Sequence, residues 1–173
     1  AGHTMPGNIP VHLVEPRDLD AVHWAALEQD PVVQNQNLGR DLRSVLFNGW
    51  LLEQGAELLA RERPDFLYER HALFNGAGWK LSRRFGIPLV VEVNAPICDE
   101  QAGYELFPLI AAARRIELDV LRRADGVVVV SAWLKAWMVA QGVVADRVHV
   151  IPNAVAGRLF EGPAVSGAAV RAR

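Results

Sequence analysis

Five short segments rich in Val, Ile, Leu and Phe recur along the chain, and several are nearly continuous apolar runs. They are Val11–Glu15 (VHLVE), Asp65–Glu69 (DFLYE), Leu89–Val93 (LVVEV), Gly126–Val130 (GVVVV) and Arg147–Ile151 (RVHVI). A strand with one wet face alternates apolar and polar residues. A strand sealed on both faces reads as an unbroken apolar run, the habit of parallel sheets. Parallel neighbours need crossover connections, so the intervening segments should be helical.

Most of them carry helix signals. Asp41–Glu62 places Phe47, Leu51 and Leu58 on one stripe, with Pro64 beyond its end. A shorter helix is expected over Ala72–Phe85, closing at Gly86 before Pro88. Leu106–Arg123 spaces Leu109, Ala113, Ile116 and Val120 along one face, with Pro108 in its first turn and Arg122 and Arg123 at its negative end. Ser131 suits the N-cap of a helix over Ala132–Gln141, and Gly142 its C′ position. Trp133 and Trp137 are expected to share a face of that helix and pack on a neighbouring layer. Residues 16–40 lack a period and read as an irregular connection with one short helix near Ala21–Leu27. The order of elements predicts an α/β fold: a doubly wound parallel sheet with helices on both faces.

At 173 residues, 51% hydrophobic and 22% charged, the chain can bury a core as one domain. A net charge of −2 points away from a nucleic-acid partner. Its apolar runs fall far short of the roughly 20 residues that span a bilayer. Lone Cys98 excludes an internal disulfide and suits a reducing, cytoplasmic setting. Cys98 is read as a half-buried small residue and not a nucleophile. The five histidines (His3, His12, His23, His71, His149) show no metal-ligand spacing, so no metal site is expected.

Ligands of open parallel sheets bind beyond the carboxyl ends of the strands. That rule selects Glu69, Arg70 and His71 after the second segment, and Glu92, Asn94, Ala95 and Pro96 at the third. It selects Ser131 after the fourth, and Pro152 and Asn153 after the fifth. Arg70 could hold a phosphate or carboxylate bidentately, or pair with Glu69. Asn94 offers both donor and acceptor to a hydroxyl, or shapes the turn before Pro96. Ser131 is a helix cap beside an anion-friendly helix start. Gly76-x-Gly78-x-x-Leu81 is a weak dinucleotide signal: its first glycine comes seven residues after Glu69, not in the turn directly after the strand. It leaves a NAD(P)-dependent oxidoreductase as a distant alternative, and a single-domain ligand-binding protein as another.

Four blocks, in order, are RPDFLYERHALFNGAG, GIPLVVEVNAPICDEQ, RRADGVVVVSAWLKAWMVAQGV and DRVHVIPNAVAGRLF. Together they resemble the N-terminal, acceptor-side half of family-4 glycosyltransferases, strongly over Pro64–Phe160 and only in layout before that. The resemblance implies a Rossmann-like domain, half of a two-domain GT-B fold. It implies a retaining transferase without a metal or other cofactor. The donor would be a nucleotide sugar, UDP- or GDP-linked, and the acceptor a glycan, a lipid-linked saccharide or a small molecule, as in polysaccharide biosynthesis. Peripheral membrane contact stays open, as does the oligomeric state. Asn94 matches the position where many members place a histidine close to the transferred sugar. Glu69, Arg70 and Glu92 match cleft-wall positions, and Asn153 matches the crossover to the second domain. Ala154 and Ala156 stand where glycine and aspartate are usual. On this reading residues 1–160 are the domain without its first strand, 161–173 a linker or tail, and the donor-binding half lies outside the chain. Such a piece is expected to be inactive alone.

Overall fold

Four of the five apolar runs pair into one sheet. The computed structural model describes residues 3–5, 9–15, 18–35, 38–102, 108–155 and 157. It contains β1 (His3–Met5), β2 (Ile9–Val11), α1 (Asp18–Gln29), α2 (Pro31–Asn35) and α3 (Leu38–Glu62). There follow β3 (Leu67–Arg70), α4 (Ala77–Phe85), β4 (Leu89–Val93), α5 (Ile97–Ala102), α6 (Ile110–Arg123), β5 (Gly126–Val129), α7 (Ala132–Ala140) and β6 (Val148–Val150). Strands β3 to β6 lie side by side in chain order, all parallel. The fold is α/β and Rossmann-like, a parallel sheet flanked by helices.

Every crossover steps the same way along the sheet. Right-handed crossovers in one direction bring their helices to one face. The packing agrees. Leu89, Val91 and Val93 of β4, Val127 and Val129 of β5 and Val148 of β6 form one buried cluster with Val120 and Leu121 of α6 and Leu134 and Met138 of α7. Leu67 of β3 joins a second cluster with Leu81 of α4 and Ala56 and Leu59 of α3. The other sheet face is more open and more polar. The register lines up Arg70, Glu92, Val128 and His149 in a row across it.

Several local expectations hold. Gly86 closes α4 in the left-handed region (φ 67°), its N–H donating to the Ser82 carbonyl. Ser131 caps α7, its Oγ accepting from the Leu134 N–H at 3.2 Å. Gly142 has φ 90°. Asp125, just before β5, is structural: its Oδ2 accepts the Leu89 N–H at 2.9 Å, stitching the amino ends of β4 and β5.

Others are corrected. Val11–Glu15 adds no strand to the parallel sheet. β2 ends at Val11 and pairs antiparallel with β1. Leu13 is 62% exposed, which a strand buried on both faces cannot be. Gln54 of α3 holds the segment instead, its Nε2 donating to the Glu15 carbonyl at 2.6 Å. The connection at 16–40 is far more helical than expected. Its missed signal is Asp30-Pro31: Asp30 Oδ1 accepts the Val32 N–H at 2.8 Å, and Pro31 opens α2. α5 was not expected at all.

Helix α4 begins five residues later than the period suggests, because residues 71–76 form a turn with Phe74 left-handed at φ 63°. Asn48 of α3 stabilises that turn. Its Oδ1 accepts the N–H groups of Gly76 (2.8 Å) and Ala77 (3.0 Å), and its Nδ2 donates to the Phe74 carbonyl at 2.8 Å. Two turns earlier, buried Asp41 accepts the Leu109 N–H at 3.1 Å, at the start of α6. That helix begins at Ile110, so Pro108 precedes its first turn. Trp137 packs on the core and donates from Nε1 to Asp99 at 2.9 Å, but Trp133 is 65% exposed. Leu134 and Met138 face the sheet, and the residue before Leu134 is rotated about 100° away. Phe160, Ala156 and the tail at 161–173 lie outside the described residues.

Leu121 is fully buried. Leu121→Ala should cost about 2–5 kcal/mol in urea unfolding. Trp133→Ala should stay within about 0.5 kcal/mol. An equal loss at both positions would contradict the layer assignment.

Candidate functional site

Strand alternation divides the residues at the carboxyl edge between two faces. Tyr68 and Arg70 point to the open face of β3. Glu69 points to the helix side, so the Glu69–Arg70 ion pair weighed from the sequence does not form.

On the open face the centre is Glu92. Tyr68 donates its hydroxyl to Glu92 Oε2 at 2.8 Å, and Asn94 Nδ2 donates to Glu92 Oε1 at 3.0 Å. These two bonds, the tyrosine's first, hold the Glu92 carboxyl below its ordinary range, with the charge of Arg70 helping. Glu92 is therefore an ionised anchor. Asn94 is oriented by it, and the Asn94 Oδ1 is buried without a partner among the described residues. Arg70 is exposed and in electrostatic reach of Glu92. The site thus presents a cation and a phenol on a fixed carboxylate, with the Asn94 amide oxygen turned into the protein.

Across the sheet, Glu69 lies against the first turn of α4. A methyl group at Gly78 would collide with its Oε2, which explains the glycine. Gly76 is not left-handed (φ −131°), and six residues separate β3 from α4. The tight strand-to-helix turn of a dinucleotide fingerprint is absent here. Burial pushes the Glu69 carboxyl up to about 7, against the opposing pull of nearby His71, and its Oε1 has no partner among the described residues. Glu69 thus keeps a proton well above the usual carboxylate range.

The sequence points to His71 at the end of β3 but gives no sign of its partner, Glu117. His71 Nε2 and Glu117 Oε1 of α6 are 2.9 Å apart, both side chains 1% exposed. Cys98 is fully buried beside them. Its thiol is pushed up to about 12, by burial first and then by the Glu117 carboxylate, so it is no nucleophile. Ser131 serves as a cap, as described. Asn153 is exposed beyond β6, and Ala154 is not in the left-handed region. Neither residue is joined to the Glu92 network by a hydrogen bond. Among the described residues no cluster of His, Cys, Asp and Glu could hold a metal ion, and no helix is long and apolar enough to cross a membrane.

A family model described as a glycosyl transferase 4-like domain matches residues 9–154. No curated protein matches the chain significantly. Among solved structures, the UDP-N-acetylglucosamine 2-epimerase from Rickettsia bellii is similar at 18% identity and a TM-score of 0.46, over 59% of this chain and 25% of that one. The chain therefore spans about a quarter of that enzyme's length.

Two titrations follow from this geometry. Glu69 has an ordinary pKa of 4.5 and a folded value of about 7. Below 4.5 both states are protonated and nothing is lost. Stability falls as pH rises from 4.5 to 7, by about 3 kcal/mol, and is level above. Glu69→Gln should flatten that slope in urea unfolding at stepped pH. For Glu92, Tyr68→Phe should raise the carboxyl pKa measured by side-chain NMR, because the largest stabiliser of its charge is gone. No rise would mean that the phenol bond does not hold the carboxylate.

Proposed function

Because the chain belongs to the glycosyl transferase 4-like domain family, we propose that it forms the acceptor wall of a retaining glycosyltransferase. The enzyme would move a sugar from a UDP- or GDP-linked donor to a glycan, a lipid-linked saccharide or a small acceptor, at the cytoplasmic side. The donor is a co-substrate, and the reading invokes no resident cofactor. The observation that carries it is the convergence of Arg70 with the Tyr68–Glu92–Asn94 network at the carboxyl edge of the sheet.

Each residue has a task its chemistry allows. Asn94 cannot move a proton at neutral pH. The Nδ2 hydrogen that Glu92 leaves free donates to a sugar oxygen, while Glu92 holds the amide in place. Arg70 meets an anionic group, a donor phosphate or a charged acceptor. Glu69, which gives up its proton only near pH 7, stays behind the wall on the helix side. Ser131 sets the start of α7, a nine-residue helix whose amino end favours negative charge. Asn153 stands at the passage towards a second, donor-binding domain. Departure of a nucleoside diphosphate and an oxocarbenium-like sugar needs charge stabilisation from both walls. One wall alone aligns an acceptor and does not drive transfer.

The purified chain should release no UDP or GDP from any UDP- or GDP-sugar in a coupled assay. Robust turnover by the chain alone would sink the two-wall reading. In a transfer-competent enzyme that contains this chain, Asn94→Ala should lower kcat/KM roughly tenfold, the loss of one hydrogen bond of about 1.4 kcal/mol.

A further inference from the structure

We propose that His71 and Glu117 are a buried positioning pair that clamps the carboxyl end of β3 and thereby aims Arg70 into the site. The two residues are 46 apart in sequence, and each side chain is 1% exposed. His71 Nδ1 and Glu117 Oε2 have no hydrogen-bond partner among the described residues, and the Cys98 thiol is the other polar group against the Glu117 carboxyl. A half-satisfied buried polar pair is a poor way to gain stability, and two apolar side chains of the same volume would do as well or better. Its worth lies in direction: an imidazole and a carboxylate meet in one geometry, where apolar side chains would slide.

What it directs is visible in the backbone. The His71 N–H donates to the Glu92 carbonyl at 2.8 Å and carries the β3–β4 ladder one residue past Arg70. The chain then leaves the sheet, and Phe74 turns left-handed. Arg70 is bracketed. Before it, Glu69 is pressed against Gly78 of α4. After it, His71 is tied to α6. With both neighbours fixed on the helix side, alternation leaves Arg70 only the open face, across from Glu92 in the register. What Arg70 would hold follows the acceptor-wall reading. The clamp itself does not depend on it, so the two can fail separately.

Hydrogen exchange followed by NMR tests the clamp on the chain without any substrate. In His71→Leu/Glu117→Leu the core is refilled with apolar volume. The amide at position 71 should exchange at least tenfold faster than in the native chain, and the Arg70 Nε–H resonance should move. The amides of Val127–Val129 should be unchanged. Glu117→Gln keeps an acceptor for the imidazole, and should hold the rate at position 71 within about threefold of native. Unchanged protection at position 71 in a folded double variant would overturn the proposal. If the double variant does not fold, the native chain decides. The His71 Nε2 proton should resist exchange with water, while that of exposed His149 exchanges freely. Equal exchange at the two rings would also overturn it.

Discussion

Burial of one sheet face is the constraint from which the rest follows. Leu89, Val91, Val93, Val127, Val129 and Val148 are each at most 1% exposed beneath α6 and α7. A strand whose alternate residues are sealed in this way cannot slip by one position without turning its apolar side chains to water. The register across β3, β4, β5 and β6 is therefore fixed by apolar contacts. The polar row of Arg70, Glu92 and His149 inherits its alignment from them.

The same alternation sorts the motif Tyr68-Glu69-Arg70 into two environments. Its middle residue meets α4 in a dry setting and holds a proton up to about pH 7. Its outer residues meet Glu92 in a wet one, where the carboxyl stays ionised. Two glutamates at one sheet edge thus differ in charge near neutrality. Desolvation dominates one, and hydrogen bonds to the charged form dominate the other.

Much of this was legible in the sequence because it is local. The four apolar runs, the Ser131 cap and the Gly86 stop depend on residues within a few positions of one another. So did the selection of Glu69, Arg70, Glu92 and Asn94, which needs only the ends of strands. What was not legible is carried by distant partners. Val11–Glu15 has strand composition, but composition does not say which edge will accept it. The true start of α4 depends on Asn48, 28 residues away from Gly76. The Tyr68–Glu92 bond spans 24 residues and the His71–Glu117 pair 46, and neither has a periodic signature. Trp133 was misjudged because a shared face spans a wide arc, and the sheet takes only its centre.

Helix α3 carries Asp41 and Asn48 about two turns apart, on nearly the same face. One serves the start of α6 and the other the start of α4. This makes α3 a ruler that indexes two other helices at once. A residue inserted between these two side chains would rotate one by about 100° relative to the other, and no movement of α3 could then satisfy both. The stretch 41–48 should accordingly resist insertions and deletions even where its individual side chains accept exchange. Anyone transplanting this domain would have to carry it over at its full length.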